Sequence, residues 1–189
     1  MKTVLVPLAP GFEEIETITV VDILRRGGAQ VTLAGTQIGP LEGSRGISIL
    51  PDDMLENVLQ KEFDLVVLPG GQPGTDNLKK DARVAQLLKK MDSLNKNIAA
   101  ICAAPLVLKD AGILKNRCAT SHPSVQNDMQ GISYQDERVV VDGHIVTSKS
   151  PGTAIEFSLK LVEILFGRER MDVVNKGVLA KFNFLQGTK

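Results

Sequence analysis

The segment Ala99-Ala100-Ile101-Cys102-Ala103-Ala104-Pro105 ends an apolar run abruptly at a cysteine. Small neighbours let the chain turn sharply from strand to helix, the geometry that presents the nucleophile of strand–turn–helix hydrolases. A cysteine at such an elbow would face solvent at a helix N-terminus. Free N–H groups and the helix dipole there favour a thiolate and lower its pKa. Pro105 suits the first helical turn, where its missing N–H costs nothing. On spacing alone the other reading is a buried, inert cysteine. Pro69-Gly70-Gly71 follows a second apolar run, and its glycines permit close backbone approach. Its N–H groups could join that of Ala103 in an oxyanion hole. Taken alone, it reads as an ordinary strand-end turn.

Three acids, Glu13, Glu14 and Glu16, open a helical segment. The plain account is stabilisation of the helix dipole by Glu13 and Glu14. Glu13 and Glu16, three apart, share a face. If that face meets Cys102, a carboxyl buried beside the anion would have a raised pKa and could donate a proton. His122, in Thr120-Ser121-His122-Pro123, could reach the cysteine as a base or polariser, or be a hydrogen-bonded loop residue. His144, in Asp142-Gly143-His144, reads as a surface turn residue, and Cys118 as a packing residue. These histidines and cysteines lack ligand-like spacing, so no metal is expected. No Gly-x-Gly-x-x-Gly or Walker lysine argues for a phosphate cradle.

These segments need elements to hold them. Thr3–Leu8, Gln30–Ala34, Phe63–Leu68 and Asn97–Ile101 read as strands, with shorter ones at Ile47–Leu50, Arg117–Ser121, Val139–Val141 and Ile145–Ser148. Helical spacing covers Glu13–Arg26, Asp53–Leu59, Asp81–Met91, Cys102 to about Ala111, Gly152–Phe166 and Glu169–Leu179. In the first of these, Ile15, Ile18, Val21, Ile23 and Leu24 are expected on one apolar side. Strands apolar on both faces, separated by helices, imply a mostly parallel sheet covered on each side. Sites in such sheets form beyond the carboxyl ends of the strands. Ala9–Glu16, Pro69–Gly74 and Cys102–Pro105 all fall there.

The 189 residues are expected to form one domain, 1–189, large enough to bury a core without disulfides. Lys and Arg total 22 and Asp and Glu total 22, which gives no basic excess for nucleic-acid duplexes or membrane surfaces. Two cysteines make no disulfide framework. The apolar part of the first residues is short for a signal peptide, and no 18-residue apolar run exists. The expectation is a cytoplasmic protein with free thiols.

In order along about residues 1–180, the chain carries Leu8-Ala9-Pro10-Gly11 with Glu13-Glu14-Ile15-Glu16, then Val67-Leu68-Pro69-Gly70-Gly71. The Cys102 segment, Ser121-His122-Pro123 and Ser148-Lys149-Ser150-Pro151-Gly152-Thr153 follow. Together these motifs resemble the DJ-one branch of the ThiJ/PfpI superfamily. The resemblance implies a flavodoxin-like three-layer α/β sandwich and a homodimer. It puts Cys102 at the reactive-cysteine position and Glu16 at that of a protonated glutamate bonded to it. Gly71 and Ala103 take the oxyanion-hole positions, with Gly70 beside them, and His122 that of the nearby histidine. Arg45 matches an arginine at the dimer interface near the site.

The implied function is a cysteine-dependent deglycase of proteins or nucleotides and a glutathione-independent glyoxalase acting on small carbonyls such as methylglyoxal. No cofactor is implied. The alternative is a redox-sensing stress protein or chaperone working through oxidation of Cys102. A nucleotide-binding or thiamine-pathway pocket is a weaker third reading, since fold does not decide function. Ala103 stands where the protease-like PfpI branch has histidine, which argues against a local Cys-His peptidase. Lys149 and Ser150 replace arginine and glycine of the animal pattern, and Gly43 and Leu50 replace accessory cysteines. The residues after Leu179 match no usable motif.

Overall fold

The computed structural model describes residues 1–180. In chain order the elements are β1 (Thr3–Leu8), α1 (Glu14–Gly27), β2 (Gln30–Gly35), β3 (Leu41–Glu42), β4 (Ser48–Ile49), β5 (Asp53–Met54), α2 (Leu55–Val58) and β6 (Leu65–Leu68). Then follow α3 (Gly74–Lys80), α4 (Ala82–Ser93), β7 (Asn97–Ile101), α5 (Pro105–Asp110), β8 (Cys118–Ala119), β9 (Ser133–Tyr134), β10 (Val139–Asp142), β11 (Ile145–Ser148), α6 (Ala154–Phe166) and α7 (Arg168–Val178). Seven strands form the central sheet in the order β10-β11-β7-β6-β1-β2-β5. All its pairings are parallel except the β10–β11 hairpin at one edge. This is the mostly parallel sheet that the apolar runs imply, in the flavodoxin-like α/β architecture that the resemblance implies.

Each central strand feeds both cores, because side chains alternate across a sheet. Val4, Val6 and Leu8 of β1 join Ala99 and Ile101 of β7 in one core, closed by Val20, Leu24, Phe157, Val162 and Met171 of α1, α6 and α7. Leu5, Ile98 and Ala100 point the other way, into a core closed by Leu78, Leu88 and Leu108 of α3, α4 and α5. The main strands begin and end together, so the loops after β1, β6 and β7 converge at one edge.

Local signals account for several boundaries. The Glu13 side chain caps α1 by accepting from Glu16 N–H at 2.7 Å. Gly28 ends α1 in the left-handed region, φ 98°. Asp81 caps α4 by accepting from Arg83 N–H at 3.0 Å.

Four expectations change. Ile15 and Ile18 are 58% and 49% exposed, while α1 buries Glu16, Thr17, Val20, Ile23 and Leu24. At 3.6 residues per turn, positions 16, 20, 23, 24 and 27 form one stripe, and Ile15 and Ile18 fall outside it. Ser48–Ile49 pairs only with β3, in a ribbon off the main sheet. Asp53–Met54 is an edge strand beside β2, leaving just Leu55–Val58 helical. Cys118–Ala119 pairs with Ser133–Tyr134 outside the main sheet, and Gly74–Lys80, for which the spacing predicts no element, is a helix.

Candidate functional site

Cys102 follows β7 directly and adopts φ 65°. A non-glycine residue in the left-handed region costs about 1–2 kcal/mol. Neighbouring backbone holds it there: Cys102 N–H donates to Ser148 O at 3.0 Å, and Cys102 O accepts from His122 N–H at 2.7 Å. Ala103 and Ala104 make the turn, and α5 begins at Pro105, in its first turn as the sequence indicates. Cys102 is half-buried rather than facing solvent.

Glu16 is fully buried, brought to the elbow by the first turn of α1. Its Oε2 accepts from Gly70 N–H at 2.9 Å. Its Oε1 is buried without a well-aligned partner. Burial pushes the Glu16 carboxyl up to about 8; the Gly70 N–H and the Cys102 thiol pull it down, and the Glu13 charge adds to the rise. Burial likewise pushes the Cys102 thiol up, to about 12, reinforced by the charge of Glu16 and their shared hydrogen bond. The N–H groups of Ala103 and Gly71 act on the sulfur in the opposite sense. The expected helix-lowered thiol is therefore not seen: desolvation outweighs the donors, and α5 is only six residues long. The pair sheds one proton well before the second, so it holds one negative charge at most near neutrality.

The glycines make this proximity possible. A Cβ on Gly70 would stand 2.6 Å from the Cys102 Cβ and 2.8 Å from Glu16 Oε2. Gly71 has φ 92°, and a Cβ there would stand 2.4 Å from Glu13 N. The close approach is to other chain segments, and it directs the Gly71 N–H at the sulfur.

The elbow opens into a cavity of about 410 Å³ lined by Glu13, Arg45, Gly71, Cys102, Ala103 and His122, among others. Of the residues that the resemblance assigns to the site, all except the enclosed Glu16 and Gly70 thus meet at its wall. The His122 ring accepts from Ser124 N–H through Nδ1 at 3.1 Å, with Ser124 Oγ at 2.8 Å from the same nitrogen. With Nδ1 accepting, a neutral ring carries its proton on Nε2. Arg45 is exposed at the rim. Burial also raises the Glu13 carboxyl pKa, against the pull of Glu16 N–H.

Glu14 has a role that the sequence does not reveal. It is 5% exposed and accepts from Arg45 N–H at 2.6 Å, Ile47 N–H at 3.4 Å and the Ser44 hydroxyl at 3.2 Å. Burial opposes its charge, but these donors prevail and hold the carboxyl below its usual range. A Cβ on Gly43 would lie 2.5 Å from this carboxyl, so a side chain there would have to displace the Glu14 carboxylate. The only signal is a glutamate and a Gly-Ser-Arg-Gly turn about 30 residues apart, which no local pattern connects. Glu14→Ala would leave those donors unpaired and should cost about 1.5–3 kcal/mol in urea denaturation. It should also release the turn that carries Arg45.

The other two candidates lie elsewhere. His144 is not a free surface residue: its ring Nε2 is 2.7 Å from Asp92 Oδ1, with the side chain 13% exposed. The Asp92 carboxylate on α4 is the partner that draws it in. Cys118 is half-buried on β8, with Gln135 Nε2 at 3.9 Å from its sulfur.

Comparison with known proteins bears on the family and the fold. The DJ-1/PfpI family model matches residues 2–164. DJ-1beta of Drosophila melanogaster is 45% identical over 185 residues, covering 96% of this chain and 99% of the relative. Its crystal structure superposes with a TM-score of 0.94 at 44% identity, covering 96% of this chain and 99% of that one. The Caenorhabditis elegans protein named glutathione-independent glyoxalase DJR-1.2 is 42% identical, covering 93% of this chain and 95% of its own. The structure of oxidized Toxoplasma gondii DJ-1 has a TM-score of 0.94 at 35% identity, covering 96% of this chain and 100% of that one. With that agreement running from β1 to α6 through every segment that builds the elbow, the chain belongs to the DJ-1/PfpI family.

Proposed function

We propose that this protein is a cysteine-dependent enzyme of reactive carbonyls, a glutathione-independent glyoxalase that also deglycates proteins or nucleotides. The observation that carries the reading is the Cys102 elbow, with the buried Glu16 carboxyl against the thiol and two backbone N–H groups facing the sulfur. The glyoxalase name of a relative at 42% identity supports the reaction class.

The chemistry follows from the geometry. The Cys102 sulfur adds to the aldehyde carbon of methylglyoxal, forming a C–S bond and a hemithioacetal. The S–H bond breaks as the C–S bond forms, and its proton passes to the former carbonyl oxygen, which lies near the Gly71 and Ala103 N–H groups. Glu16, whose raised pKa lets it hold or release a proton near neutrality, shuttles one from the former aldehyde carbon to the ketone carbon through an enediol. As the hydroxyl proton passes from the first oxygen to the ketone oxygen, that shift oxidises the first carbon to a thioester and reduces the second to an alcohol. Water then cleaves the thioester, releasing lactate and restoring the thiol. The His122 Nε2 proton orients or polarises the carbonyl. The steps are acid–base and nucleophilic, and call for no cofactor.

A second reading is redox sensing or chaperone activity in the stress response. A half-buried cysteine with N–H donors at its sulfur and a carboxylic acid beside it can hold a sulfinate. The Toxoplasma gondii relative, whose solved structure is of the oxidized protein, keeps that reading in view. The remaining expectations are one domain over 1–189, a cytoplasmic location and a homodimer. Exposed Ile15 and Ile18 offer apolar surface for a second copy, with Arg45 near the rim.

The test is lactate formation from methylglyoxal without glutathione, under reducing conditions. Wild type should turn over and Cys102→Ser should not. A folded, reduced wild type with no turnover would overturn the enzyme reading. Mass gain at Cys102 with peroxide, and no turnover, would favour the sensor.

A further inference from the structure

At the opposite end of the sheet, before β6 and β7 begin, lies a separate cavity of about 170 Å³. The five residues of β7 alone put roughly 17 Å between this end and the elbow. Phe63, Leu87 and Met91 form its floor, each no more than 5% exposed. Leu94 stands at its mouth, 58% exposed. Lys61, Lys90 and Lys96 also line it, against one acid, Glu62. Lys61 and Lys96 have only long ion pairs, 3.6 Å to Asp53 and 3.8 Å to Asp64. Among the described residues no carboxylate pairs with the Lys90 ammonium.

We infer that this cavity binds a small apolar acid: one ring, or a chain of about six carbons, bearing a single carboxylate. Size sets the apolar part, since a dry cavity of roughly 150 Å³ holds benzene. The three ammonium groups at the rim set the charge, because a carboxylate there stays partly solvated while meeting a local excess of positive charge. A bound ring also covers part of Leu94, which is exposed otherwise. The site uses none of the residues around Cys102 and does not depend on the proposed reaction.

The test is amide NMR of the full chain titrated with benzoate and, separately, with benzyl alcohol. Saturable benzoate shifts at Leu87, Met91 and Leu94 are expected, with the uncharged alcohol at least about fivefold weaker. Lys90→Glu, an exposed substitution that leaves the floor intact, should weaken benzoate by about two- to fivefold, as for one partly screened charge contact. It should leave benzyl alcohol unchanged. Absence of saturable shifts, shifts centred on Cys102 and His122, equal binding of acid and alcohol, or unchanged benzoate affinity in Lys90→Glu would each overturn the inference.

Discussion

Glu16→Gln is expected to lower carbonyl turnover by about 10²–10⁴-fold, the usual worth of a positioned acid–base group. Glutamine has nearly the same volume, and its amide oxygen can still accept from Gly70 N–H, so the elbow should keep its shape. It cannot take up and release the proton that must move between the two carbons. The same substitution should raise stability above neutrality. The Glu16 pKa in the fold, about 8, lies above its ordinary value of 4.5. Folding therefore favours the protonated carboxyl. That contribution is complete below the ordinary value and is lost as pH rises through about 8. Wild type should thus weaken between pH 5 and 8, while Glu16→Gln loses less and is the more stable at pH 8. Urea denaturation at both pH values, beside the lactate assay, checks the pair of effects. Unchanged turnover in the folded variant would remove Glu16 from the mechanism. Parallel stability curves would show that its carboxyl ionises as freely as in the unfolded chain.

Gly71→Ala should cost about 2–5 kcal/mol of stability. Left-handed backbone contributes about 1–2 kcal/mol of that for any residue with a Cβ. Overpacking adds about 1–3 kcal/mol, since the new methyl would meet Glu13 N at 2.4 Å and Gly11 O at 2.6 Å. Those atoms are backbone, so no rotamer change relieves the contact. The Gly71 N–H would also swing from the sulfur as the loop shifts, and turnover should fall with stability. Gly39→Ala is the control: its φ is 87°, but nothing lies within 4 Å of its Cβ position. It should show the backbone cost alone. Equal losses in the two variants, measured by urea denaturation, would mean that the loop around Gly71 yields and that its packing does not define the site.

Much of the site is visible along the chain because it is made at strand ends. Apolar strands stopping at Cys102, at Pro69-Gly70-Gly71 and near Glu13 identify three loops that a parallel sheet gathers at one edge. Small residues before Pro105 mark the elbow, and both follow from local backbone preferences. His122 is harder to place from sequence. Its backbone N–H reaches Cys102 O only because the chain returns past β7 after α5, and its ring is fixed by Ser124.

What the sequence determines by itself is the order of the main strands and longer helices, the buried parallel sheet and the turn at Cys102, since each is set by neighbours a few residues away. The tertiary structure alone decides which side of α1 faces inward. The helix carries apolar residues on more than one side, and docking against β2 and α6 turns Glu16 to the core and leaves Ile15 and Ile18 in solvent. It also decides that burial, rather than the short helix α5, governs the thiol, that Glu14 secures a turn 30 residues away, and that His144 finds Asp92. Burial and charge proximity depend on atoms brought together from distant segments, and no local spacing encodes them.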